Sequence, residues 1–392
     1  MKDANHVSAD ERRRQVWISR NDGSLDELKR ICDRTTNLED WPHAVEVEQN
    51  VLIYDAADAA ALQGEARLSL MAEWATVFRS GPGVIVLRGA IPDEAVIDKA
   101  TATFSDIIAE EKDASSRGDY FITAGSNDRV WNSLQKHCLA DPKNFADYFK
   151  FPAIDIACRA WLGPGYQMTA QCFRVNPGGK AQDAHRDYHL GFMTPKRQES
   201  YPGHVQELSP MLTLQGAVAH IDMPIETGPT LYLPYSQNFY EGYLAFEREE
   251  FQEYFKEARS QLPMKKGDAV FFNPAVMHGA GANVTEDRYR LVNLLQVSSA
   301  MGRTMEAIDR TSMIKALYPE LVGSGLSDDE LDRVVAASAE GYAFPTNLDT
   351  DPAVGGMSPK THADMMREAL AKRTSADEFA ALIDTLDVRR KA

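Results

Sequence analysis

From residue 66 to residue 300 the chain sets short apolar runs between Gly/Pro turns: GVIVLRG, QCFRV, MLTLQGAVAHI, TLYLP, DAVFFN and LVNLLQV. Runs of this length, bounded by turn formers, predict strands, and their succession predicts an antiparallel double-sheet jelly roll. Alternation assigns their faces. In the long run Thr213 and Gln215 share one side, while Leu212, Leu214 and Val218 share the other. If Arg290 faces inward, so do Val292, Leu294 and Gln296. Helical patterns flank GVIVLRG, and the segment RGDYFITAGSNDRVWNSLQKHC is expected to wall the interior, its His137 being structural. SLDELKRICDRT predicts a helix that Ser24 could cap. NFYEGYLAFEREEFQEYFKEARSQL reads as a charged helix with a solvated face. Beyond residue 300 the pattern turns helical, with the Pro/Gly-rich FPTNLDTDPAVGGMSP as a loop. The expected fold is α+β with a mainly β core: an N-terminal extension 1–65, a jelly-roll domain 66–300 and a helical C-terminal extension 301–392. That extension either packs on the core or forms a dimer interface or site lid.

Composition narrows the partners. A formal charge of −16 disfavours nucleic acid and anionic membrane surfaces. Cys32, Cys138, Cys158 and Cys172 show no Cys-x-x-Cys spacing, so inert thiols in a reducing compartment are expected. MKDANHVSADERRRQ has no apolar core of a secretion signal, and no run approaches the roughly 20 apolar residues of a membrane span. These features predict a cytoplasmic protein with no membrane or nucleic-acid partner.

Three His-x-Asp pairs are candidate metal motifs: His185/Asp187, His220/Asp222 and His362/Asp364. The third lies in a helical pattern, where positions i and i+2 face different ways and one ion cannot easily take both. His220 ends an alternating run and Asp222 leads straight into a turn, so a satisfied sheet histidine is the plainer reading. His185 follows a strand and the turn NPGG and precedes YHLGF, a strand end where a cleft can open. With the later His278, this gives two histidines and one carboxylate, a set that can hold Fe(II) on one face and leave the opposite positions open.

The ordered series QCFRVNPGGKAQDAHRDYHLGF, GPTLYLPYS and KKGDAVFFNPAVMHGAGANVTEDRYRLVNLLQ resembles the phytanoyl-CoA dioxygenase family of Fe(II)/2-oxoglutarate oxygenases. So does the earlier EWATVFRSGPGVIVLRGAIPDEAVIDKATATFSDII, and the likeness spans roughly residues 65 to 300. The resemblance implies a double-stranded β-helix of the cupin-like kind, with iron held by His185, Asp187 and His278, and 2-oxoglutarate and O2 as cosubstrates. It places the 2-oxoglutarate arginine just past the distal histidine, where Arg288 and Arg290 compete. Arg290 is preferred because YRLV matches the family's aromatic-arginine-aliphatic strand start, although Tyr289 stands at the usual position and a one-residue insertion is implied. Pro234-Tyr235-Ser236-Gln237 departs from the family's Pro-Gly-Ser-His. Thr213, Gln215, Thr230 and Tyr232 are candidate cosubstrate contacts; Arg174, Asn176, Tyr188, His189 and Phe192 are candidate substrate contacts. The expected activity is hydroxylation of an unactivated C–H in a small molecule, with release of succinate and CO2. Alternatives are desaturation, epimerisation or ring formation by the same oxidant, or a catalytically silent ligand-binding jelly roll. Asp187 occupies the position that related halogenases leave to a small residue. Sparse basic residues near the motif (Lys180, Arg186, Lys196, Arg197, with Lys265 and Lys266 on a far turn) argue against an acyl-CoA substrate.

Overall fold

The computed structural model describes residues 8–114, 126–343, 346–353, 355 and 358–391. Eleven strands appear among them: β1 (Glu46–Glu48), β2 (Val51–Asp55), β3 (Val84–Arg88), β4 (Asn127–Val130), β5 (Gln167–Val175), β6 (Thr213–Ala219), β7 (Leu231–Leu233), β8 (Ser260–Gln261), β9 (Ala269–Phe272), β10 (Met277–Gly279) and β11 (Arg290–Ser298). The main sheet runs β1-β2-β3-β9-β6-β11-β5-β4, and a small sheet runs β10-β7-β8. All pairings are antiparallel except β2 with β3. This bears out the jelly-roll expectation.

Strand alternation divides the core. One face of the main sheet presents Phe173, Val175, Ala217, Val270, Phe272 and Val292 toward the interior with Tyr232 of the small sheet. The other presents Leu214, Val218, Phe271, Leu291, Leu295 and Val297 to a helical layer that contributes Trp74, Phe104, Phe145 and Ile156. Each face therefore buries its own apolar set, which fixes the register, because a one-residue slip would exchange them.

The flanking regions are built into this body. Residues 46–55, inside the expected N-terminal extension, supply β1 and β2, and β2 pairs with β3 from Leu52↔Ile85 to Asp55↔Arg88. The helix Leu25–Cys32 forms as expected, but the Ser24 side chain makes no capping bond. The C-terminal helices Arg310–Leu321, Asp328–Ser338, His362–Lys372 and Ala376–Arg390 bury Met313, Leu317, Val334, Met366 and Phe379 in the helical-layer core. The buried Arg310 donates to the Met168 and Ser338 carbonyls, tying this region to β5. These helices therefore pack on the core, while Leu382 and Val388 of the last one remain exposed. The charged stretch after β7 forms the expected helix, Glu249–Ala258, with Glu253, Lys256 and Glu257 on its solvated face and Phe251 and Phe255 buried against Phe239 and Met277.

Candidate metal centre

His185, Asp187 and His278 offer ligand atoms all within 4.8 Å of one another, the one such group found among the described residues. The backbone explains the convergence. β10 pairs with β7 through His278↔Tyr232, and its other edge forms a bridge in which His185 N–H donates to His278 O (2.9 Å) and His278 N–H to His185 O (3.1 Å). Asp187 N–H donates to Pro274 O at 3.1 Å, which anchors the third residue.

The ring nitrogens are oriented for a cation. His185 Nδ1 lies 3.0 Å from Asp183 O and His278 Nδ1 lies 2.8 Å from Val276 O. A carbonyl only accepts, so in each ring Nδ1 carries the proton and Nε2 presents its lone pair. Those Nε2 atoms lie 3.6 and 3.4 Å from the two Asp187 carboxylate oxygens. Lone pairs facing an anion repel unless a positive charge lies among them, so the donor set fits a divalent ion. Burial favours the protonated Asp187 carboxyl, and the hydrogen bond it accepts from Gln215 Nε2 favours the carboxylate. Burial lowers the His185 pKa, favouring the neutral ligand form.

The group opens into a cavity of about 830 Å³. Arg290, the first residue of β11, lines it and is 3 % exposed. Its closest polar contact is a long 3.5 Å bond from Nη1 to Gly281 O, and no ion pair reaches it among the described residues. Burial pushes its pKa down to about 10, which leaves it a cation at neutral pH. A buried guanidinium without a counter-ion is costly until an anion fills its fork, and a dicarboxylate held at the metal by its other end would do so. Arg288 is exposed on the preceding turn and does not line the cavity.

Of the other sequence candidates, Gln215, Thr230 and Phe192 line the cavity, and so do Val292, Leu294 and Gln296. Tyr232 is buried beside Arg290 but does not line it. The structure corrects the remainder. Thr213 is at the strand end, its hydroxyl donating to Ser209 O. Arg174 points away from the cavity because its neighbour Phe173 points in, and its Nε donates to Asp128 at 2.9 Å. Asn176 Nδ2 also reaches Asp128. Tyr188 is buried outside the cavity lining, and His189 is a wall residue hydrogen-bonded to Ser209 Oγ at 2.9 Å. The rival His220 uses both nitrogens structurally, with Thr101 Oγ1 at 2.8 Å and Tyr148 OH at 3.0 Å. His137 bonds Asn144, and His362 bonds Asp387.

The sequence reading missed Arg129, Trp131, Gln171, Met305 and Glu306 as individual lining residues. Arg129 and Trp131 belong to the segment expected to wall the site, whose residues 117–125 lie outside the described residues. Met305 and Glu306 follow the last strand and belong to no motif. Between the two ligands of the first motif, Arg186 is buried, with Nη2 donating to Ser236 O and to Phe239 O (3.1 Å). A Cβ on Gly242 would lie 1.9 Å from Arg186 Cζ, so only glycine lets the guanidinium reach this loop.

Residues 80–292, more than half of the chain, match the family model described as phytanoyl-CoA dioxygenase (PhyH), and the protein belongs to that family. It is an Fe(II)/2-oxoglutarate-dependent dioxygenase, with iron and 2-oxoglutarate as its cofactors. Solved structures similar to it include SnoN, a non-heme α-ketoglutarate-dependent epimerase from nogalamycin biosynthesis (19 % identity, 60 % of this chain and 85 % of that one, TM-score 0.41). SnoK, a carbocyclase from the same biosynthesis, is similar at 18 % identity over 62 % and 86 % of the chains (TM-score 0.41). HygX from Streptomyces hygroscopicus, solved with nickel and 2-oxoglutarate bound, is similar at 14 % identity over 64 % and 92 % (TM-score 0.40). No curated protein sequence matches the chain. No described helix is long and apolar enough to cross a membrane.

Proposed function

We propose that the protein hydroxylates an unactivated C–H bond of a small molecule, with His185, Asp187 and His278 as iron ligands and Arg290 as the clamp for the distal carboxylate of 2-oxoglutarate. The observation that carries this reading is Arg290, a buried cation without a carboxylate partner among the described residues, on the same cavity wall as the three converging ligand atoms. When bound, iron with 2-oxoglutarate and dioxygen supplies a two-electron oxidation: one oxygen atom enters the substrate, the other enters succinate, and CO2 leaves. The chain's own work is orientation and exclusion of water. Backbone carbonyls fix the two imidazoles in their ligating tautomer, and Gln215 turns the Asp187 carboxylate toward them. Phe173, Phe272, Val292 and Leu294 give the cavity an apolar lining.

An acyl-CoA substrate is disfavoured. Only Lys180 of the basic residues counted from the sequence lines the cavity; Arg186 is buried behind the ligands, and Lys266 is paired with Asp98 at 2.7 Å and Glu94 at 3.3 Å. The four free thiols support the reducing cytoplasm as the compartment.

The test is succinate release by the iron-loaded protein across a compound set, followed by product mass. Gain of one oxygen atom is expected. Loss of two hydrogens, or an unchanged mass with inverted stereochemistry, would assign desaturation or epimerisation instead, and a chlorinated product in chloride buffer would overturn Asp187 as a ligand.

A further inference from the structure

The cavity wall holds two amides side by side next to the metal ligands. Across β9, β6 and β11 one inward row reads Phe272, Gln215, Gln296, by the pairings Gln215↔Phe272 and Gln296↔Gln215. The next inward row toward Arg290 reads Val270, Ala217, Leu294 and is apolar. Residues directly opposite on antiparallel strands have Cβ atoms about 5 Å apart, so the Gln215 and Gln296 side chains share one patch of wall. Both line the cavity, and they are 4 % and 5 % exposed.

The protein leaves both amides unmatched. Gln215 turns one end to Asp187, and since a carboxylate only accepts, that end is Nε2. The Gln215 Oε1 is thereby fixed as the free end, and it is buried without a hydrogen-bond partner. Gln296 is barer still: its Oε1 is buried without a partner, and its Nε2 enters no hydrogen bond among the described residues. On the neighbouring strand Gln171 shows the satisfied state, its Oε1 accepting from Arg129 Nη1 at 2.9 Å. A buried amide without partners is costly, and a ligand that supplies the missing partners recovers that cost on binding.

We propose that Gln215 and Gln296 form the subsite for a neutral donor-and-acceptor group of the substrate, a hydroxyl or a carboxamide. The group donates to Gln215 Oε1, whose sense Asp187 fixes, and accepts from Gln296 Nε2. The inference rests on the hydroxylase reading above and names the substrate class for it. Neutrality follows from the amides themselves, which carry no charge to match a buried ammonium or carboxylate. Because Gln215 also holds Asp187, the C–H presented for oxidation lies beside that group. Such a subsite rejects an analogue that lacks the group, since the buried amides then stay unmatched.

Two measurements on the full chain test this, and the first needs no ligand. Gln296→Met keeps the length of the side chain and removes its amide. The variant should unfold at a higher urea concentration than wild type, because an unmatched buried amide is lost. A midpoint at or below wild type, or failure to fold, would mean that the protein itself satisfies the amide and would overturn the proposal. The second measurement loads the chain with Zn(II), which supports no turnover, and 2-oxoglutarate. Cyclohexanol, cyclohexanecarboxamide, methylcyclohexane, cyclohexylamine and cyclohexanecarboxylate are then titrated by calorimetry. Wild type should bind the alcohol or the carboxamide at least tenfold more tightly than methylcyclohexane, the better of the two identifying the group. Gln296→Met should bring both to the level of methylcyclohexane. The proposal fails if wild type binds all three alike, prefers the amine or the carboxylate, or binds no probe at millimolar concentration. It fails equally if the preference survives in Gln296→Met. Absence of 2-oxoglutarate turnover by the iron-loaded protein would instead count against the hydroxylase reading, and the Zn(II) titrations would still judge this one.

Discussion

His185 and His220 each stand two residues before an aspartate, and they lie on opposite sides of the main sheet. His220 is turned into the helical layer, where Thr101 and Tyr148 engage both ring nitrogens, and Asp222 sits on an exposed turn accepting the Lys266 N–H. His185 faces the cavity, gives one nitrogen to a backbone carbonyl and keeps the other for the space it shares with Asp187 and His278. The motif is identical, and the difference is how many ring nitrogens the fold leaves free. A ligand is a histidine the protein has satisfied on one side only.

The largest test of that contrast removes the ligands. His185→Ala, Asp187→Ala and His278→Ala should each abolish Fe(II)-dependent succinate release and reduce bound iron to background by metal analysis, whereas His220→Ala should retain iron; the opposite pattern would exchange the two motifs. Next, Arg290→Ala should raise half-saturating 2-oxoglutarate by roughly 30- to 5,000-fold, since truncating one partner of a buried charge pair costs about 2–5 kcal/mol. Arg288→Ala, on the exposed turn, should change it little, and the reverse ranking would reassign the clamp. Gln215→Leu removes the donor that orients Asp187, and an iron affinity lowered roughly 10- to 100-fold is expected in a competition titration with a chelator.

The smallest effect concerns the other histidine. Burial first, then His137 and Lys266, lower the His220 pKa to about 3, and burial lowers His137 to about 4. Both folded values lie below the unfolded value near 6.5, so under that pH the unfolded chain binds protons that the folded chain does not, and stability falls with pH until the folded groups titrate. Each group should cost about 2 kcal/mol at pH 5 relative to pH 7. In urea unfolding at those two pH values, His220→Asn should shrink the difference by about that amount, and an unchanged difference would mean that His220 is not held neutral.

What the sequence revealed was what repeats or clusters along the chain. Strands with apolar faces between turns were legible, and so was the in-facing row of β11, since alternation needs no knowledge of neighbours. The three ligands were legible from ordered motifs. The register between strands was not, and Arg174 was a substrate candidate only through its closeness to the metal motif in sequence: the pairing Val292↔Phe173 shows that Phe173 takes the interior side. β1 and β2 were hidden in a charged region, and β10 is too short to announce itself as a strand. Glu306 and Arg129 come from segments about 180 residues apart that only the folded chain brings to one wall, and neither sits in a motif.

The turn before β11 bears on how such a chain can change over time. Asn283 Nδ2 and Thr285 Oγ1 both donate to Arg288 O, closing residues 283–288 into a self-contained latch, and β11 is then gripped by β5 and β6 along its length. Insertions in that latch can be absorbed as a wider bend without moving the strand that follows. The number of residues between His278 and Arg290 can therefore change while the sheet holds the inward position of Arg290. Counting from a landmark misleads here, because the parity of a residue within its strand decides which way it faces.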